Sequence, residues 1–89
     1  MRFRGTLSLN GNIVAHQVDG ELKEVINRDG KPVYRGFFST SEQGEFSFDE
    51  IYRLDVQDNM RTKIKILDLL SDLGGLRVFS CYATQSLHQ

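Results

Sequence analysis

Apolar and polar positions alternate along most of this chain, and the alternation breaks at short polar pairs. Asn10-Gly11, Asp19-Gly20 and Asp29-Gly30 recur about every ten residues, and such pairs suit the φ > 0 positions of tight hairpin turns. Between and after them, the strings FRGTLSL, NIVAHQV, LKEVIN, VYRGFF, EIYRLDV, TKIKIL and GLRVFSCYA read as strands. Turn signals at this spacing predict a mainly β fold, a small antiparallel barrel or sandwich of six to seven strands. Residues 39–48, STSEQGEFSF, form the longest polar connection. Residues 1–84 read as one small β domain, and 85–89 as a loose tail.

One segment fits two readings. In KILDLLSDLGG, the residues Ile66, Leu69, Leu70 and Leu73 fall at helical spacing, and Gly74 is placed to cap a helix. The chain either forms a short helix near 67–73 or continues as a strand into a loop. In both cases Leu67, Leu69, Leu70 and Leu73 crowd into seven residues. They are core, or they mark a surface for a partner or a second copy.

Cross-strand register sharpens the picture, because directly opposed residues share a face and a one-residue slip inverts it. A two-residue Asn10-Gly11 turn pairs Leu9 with Asn12, Leu7 with Val14, Gly5 with His16, and Phe3 with Val18. A three-residue loop at Asp19–Glu21 then sets Val18 against Leu22 and His16 against Glu24. A two-residue Asp29-Gly30 turn sets Ile26 against Val33, Leu22 against Phe37, and Glu24 against Arg35. This register yields a polar row of His16, Glu24 and Arg35 across an apolar face. It reads as a self-satisfied polar cluster, or as a small ligand site in which Arg35 holds an anionic group. The competing two-residue turn at Asp19-Gly20 selects Val14, Val18, Val25, Tyr34 and Phe38 instead.

Further along, a loop of three or five residues after IYRLDVQ keeps Tyr52, Leu54 and Val56 on the face of Thr62, Ile64 and Ile66. The outer face then pairs Asp55 with Lys63 and sets Arg53 against Lys65. Arg53, Arg61, Lys63 and Lys65 are the wet face of ordinary strands, or an anion-binding stripe.

Charge narrows the functional classes. Eleven basic and twelve acidic residues among 89 give a net charge of −1, with little difference between the two halves. That balance weighs against a protein built mainly on phosphate contacts. Apolar residues make up 39% and charged residues 26%, a globular composition. The start, MRFRGTLSLNG, carries charge without the apolar core of a signal peptide, and no apolar run is long enough for a membrane helix; a cytoplasmic location is expected. A single cysteine, Cys81, precludes an internal disulfide and a cysteine-built metal site. No phosphate-binding glycine loop, metalloprotease helix or nucleophile elbow is present. An enzyme, a cofactor and a metal are therefore not expected.

In architecture the pattern of NG and DG turns between short strands resembles compact SH3-like or OB-type bacterial barrels, without any family motif. The expected function is a non-enzymatic interaction module that binds a protein partner or itself. The alternatives are nucleic-acid or other anion binding through the basic strand face, and a phage- or plasmid-encoded inhibitor of a larger protein machine.

Overall fold

The computed structural model describes residues 1–57 and 60–84. Its strands are β1 (Arg2–Leu9), β2 (Asn12–Ile26), β3 (Pro32–Thr40), β4 (Ile51–Val56), β5 (Met60–Leu73) and β6 (Leu76–Ala83). They close into one barrel in the order β1-β2-β3-β6-β5-β4. Two antiparallel meanders, β1–β3 and β4–β6, are thus seamed together where β1 meets β4 and β3 meets β6. The core is the inward set of alternating residues, including Phe3, Leu7, Val18, Leu22, Phe38, Tyr52, Leu54, Ile64, Ile66 and Phe79. Among the described residues there is no helix, and so none long and apolar enough to cross a membrane. The expected tail, 85–89, lies outside the described residues, as do Asp58 and Asn59.

Six strands form, within the six to seven expected, because NIVAHQV and LKEVIN are one continuous strand. Asp19-Gly20 is not a turn. Gly20 lies opposite Phe3 on β1 and Phe38 on β3 at once. A Cβ there would collide with the Phe37 carbonyl oxygen and the Phe3 ring. The glycine serves close approach at a barrel corner, another of the roles open to a residue with no side chain.

The Asn10-Gly11 turn forms as expected, with φ of 53° and 82° and Leu9 opposite Asn12. Two bulges then shift β2, so Leu7 faces Ala15, Gly5 faces Val18, and Phe3 faces Gly20. At the next turn, Asn27 N–H donates to the Lys31 carbonyl, leaving a three-residue loop, Arg28–Gly30, with Gly30 at φ 81°. The pairing is consequently one residue off the expected one: Lys23 faces Arg35 and Glu24 faces Tyr34. That slip turns Phe38 inward and leaves Phe37 43% and Ile26 67% exposed. Between β4 and β5 the three-residue connection keeps the expected faces but moves the pairs by two, setting Leu54 against Thr62 and Arg53 against Lys63.

The helix alternative at 67–73 is not realised. β5 runs on to Leu73, turns through Gly74 and Gly75 at φ 61° and 83°, and returns as β6 with Leu73 opposite Leu76. Gly74 belongs to a hairpin turn, where two φ > 0 residues match the strand twist. The leucine spacing that mimicked a helix comes from two bulges in β5, which break its period of two between Ile66 and Asp68 and between Leu69 and Ser71. Fifteen residues in a straight strand would span roughly 46 Å, more than the 38 Å long axis of the molecule. The two long strands therefore bend, at the bulges and at Gly20.

The polar connection 41–50 links the two meanders across one end of the barrel. Phe46 packs among Phe38, Phe79 and Tyr52, with ring centroids 6.1, 5.0 and 6.1 Å away. The Arg77 guanidinium lies 5.1 Å from the Phe46 ring centre and donates to the carbonyls of Glu42 and Gly44 at 2.7 and 2.6 Å. The Tyr52 hydroxyl accepts from Ser47 N–H at 2.7 Å.

Candidate functional site

The polar row expected from His16, Glu24 and Arg35 is not assembled. His16 and Glu24 share one strand rather than facing across a hairpin. His16 is exposed, and its partner is Glu42 of the connection. The Glu42 carboxylate accepts the backbone N–H groups of His16 and Gln17, each at 2.8 Å, and lies 3.0 Å from His16 Nδ1. Those two amides, the Gln17 one first, hold the Glu42 carboxyl below its ordinary range. The arrangement ties the loop to a bulged strand, where amides would otherwise lack partners. Glu24 accepts the Tyr34 hydroxyl at 3.4 Å, and Arg35 stands between Lys23 and Tyr82 in register.

The leucine segment forms the outer end of the β5–β6 hairpin. Leu67, Leu69, Leu70 and Leu73 are 38%, 45%, 59% and 77% exposed, and Leu76 on β6 is 46% exposed. β4 pairs β5 only from Met60 to Lys65. Beyond that point β5 has β6 on one side and, among the described residues, no strand on the other. Unpaired backbone beside exposed apolar side chains is what a sheet edge offers to another chain. Leu76 was legible only once the Gly74-Gly75 turn was known.

The predicted basic residues occupy the barrel's outer face. Arg53 and Lys63 are directly opposed, and the Arg53 Nε pairs with Asp55 at 2.9 Å. Arg61 faces Asp55, and Lys65 faces Ile51 on one side and Tyr82 on the other. A hollow of about 350 Å³ lies between the Arg53–Lys63 pair and the Asn10-Gly11 turn, with Ser8 and Ile51 in its wall. Lys23 and Tyr82 escaped the sequence reading because they join this face only through registers that bulges and loop lengths decide.

Cys81 is buried, and burial pushes its thiol up to about 12. It is a small core residue, not a nucleophile. Among the described residues no group of three or more histidine, cysteine or carboxylate side chains is arranged to hold a metal ion. Comparison with protein-family models, with curated proteins and with solved structures returned no significant match.

Proposed function

We propose that this chain is a cytoplasmic, non-enzymatic interaction module that docks a partner polypeptide, or a second copy of itself, through the β5–β6 arm. One observation carries the reading: five leucines stand exposed on the arm where one edge of β5 lies open. An apolar side chain left in water forgoes roughly 25 cal/mol for every Å² that a partner could cover. The area these side chains leave in water adds nothing to the stability of the barrel alone. Strand addition would satisfy the open backbone groups, while the leucines set register and affinity.

The test is a Leu70→Asp, Leu73→Asp variant. Circular dichroism would check that it stays folded, since neither side chain is buried. Sedimentation velocity across a concentration series and crosslinking to co-purifying chains should both show loss of association. A folded variant that kept the molecular weight and the partners of the parent chain would rule the arm out.

A further inference from the structure

The two meanders bring together cations that are scattered through the sequence. Reading across the outer face, Lys23 on β2 is directly opposite Arg35 on β3, Arg35 opposite Tyr82 on β6, and Tyr82 opposite Lys65 on β5. At about 4.8 Å per strand the row spans roughly 14 Å. Lys63 follows two residues from Lys65 on the same face, and Arg53 stands opposite it. Lys23, Arg35, Arg53 and Lys63 are exposed, whereas Lys65 and Tyr82 are half-buried.

Two features set this row apart from a solvated strand face. Like charges directly opposed across strands are unfavourable, and the face carries two such pairs, Lys23–Arg35 and Arg53–Lys63. Moreover, among the described residues Lys23, Arg35, Lys63 and Lys65 have no carboxylate within ion-pair distance, while Arg53 has Asp55. Apart from Asp55, the carboxylates that register places on this face stand outside the row. On this face the next row over, Glu21–Phe37–Ser80–Asp68, has an acid at each end and the exposed Phe37 between them. That row bounds the positive surface on one side, and the hollow beside Arg53 and Lys63 extends it on the other. The net charge of −1 thus hides a local cationic face.

We propose that this face binds single-stranded nucleic acid, with Lys23, Arg35, Lys63 and Lys65 on phosphates and Tyr82 as a base-stacking platform. An aromatic ring set among cations on the outer face of a sheet is an arrangement that holds an unpaired strand, because any base offers a π-face and each phosphate a charge. No cation of the described residues lies over the Tyr82 ring. This site is separate from the arm, so neither proposal depends on the other.

The test is fluorescence anisotropy with a labelled oligothymidylate of about 12 nucleotides. Four or five phosphate contacts predict a log–log salt slope near −3, about a fiftyfold to hundredfold loss of affinity between roughly 50 and 200 mM salt. Arg35→Gln and Lys65→Gln should each flatten the slope by about 0.7. Tyr82→Ala should weaken binding about 5- to 150-fold and leave the slope unchanged. Lys31→Gln, in the β2–β3 turn away from the row, should change neither. Absence of binding at the lower salt, salt-independent binding, or equal effects of Lys31→Gln and Arg35→Gln would overturn the proposal. So would equal affinity for duplex DNA or heparin with no effect of Tyr82→Ala, which would reduce the face to a general polyanion contact.

Discussion

Replacing Phe46 by alanine tests whether the connection 41–50 is a structural plug or a passive crossover. Truncating a fully buried phenylalanine costs about 3–5 kcal/mol. Phe46 is half-buried, so roughly half of that transfer and cavity cost applies, about 2 kcal/mol. The ring also meets Phe79 at 5.0 Å and Phe38 and Tyr52 at 6.1 Å, and aromatic pairs add about 0.5–1 kcal/mol beyond their area. The sum is about 2–3 kcal/mol. For a domain of this size it lowers Tm by about 10–20 °C. Phe48→Ala is the matched control: its ring is 44% exposed, and the loss should stay within about 0.5 kcal/mol. Urea denaturation and thermal melts would read both. Loss of the plug should also speed amide exchange at His16 and Gln17, whose N–H groups are held by Glu42 of the same connection. Equal stabilities for the two variants, or unchanged exchange at His16 and Gln17, would refute the plug.

The remaining predictions concern titrating groups. Glu42 is held below its ordinary value of 4.5, so the unfolded chain binds its proton first as pH falls. Its contribution is present above that value and is lost as pH drops through the folded one. Glu42→Gln should lower stability near neutral pH by about 1–2 kcal/mol, discounted for solvent screening, and flatten the acid limb of the stability–pH curve; an unchanged limb would break the argument. Cys81, with its thiol pushed up to about 12, should resist alkylation near pH 8 in the native protein and react in urea, with mass spectrometry as the readout. Rapid native modification would contradict the burial.

The sequence carried strand content, most faces and two of the turns, because alternation and φ > 0 residues are local signals. Tyr52, Leu54, Thr62, Ile64 and Ile66 fall on the face their parity indicates. What it withheld were the non-local choices. Asp19-Gly20 has turn chemistry, yet the residue is needed for strand-to-strand clearance against Phe3 and Phe37. The Arg28–Gly30 loop is one residue longer than Asp29-Gly30 suggests, and that difference exchanges Phe37 for Phe38 in the core. It also separated Glu24 from Arg35 and built the Lys23–Arg35 pair, while the unbroken β2 put His16 and Glu24 on one strand. Exposure of the leucines was legible as one of two alternatives, since four apolar side chains in seven residues exceed what so small a core takes in.

The two seams bear on how the chain folds. Within each meander, strands pair across short connections and can zip from their turns. The seams join Gly5 to Val56 and Tyr34 to Ala83, positions about 50 residues apart, so both close only after a large loss of chain entropy. Contacts of such range slow folding. Seam closure is accordingly expected to set the folding barrier. A destabilising change at Leu54, which faces Leu7 across the first seam, should slow refolding in a chevron plot, whereas one at the β5–β6 arm should chiefly speed unfolding.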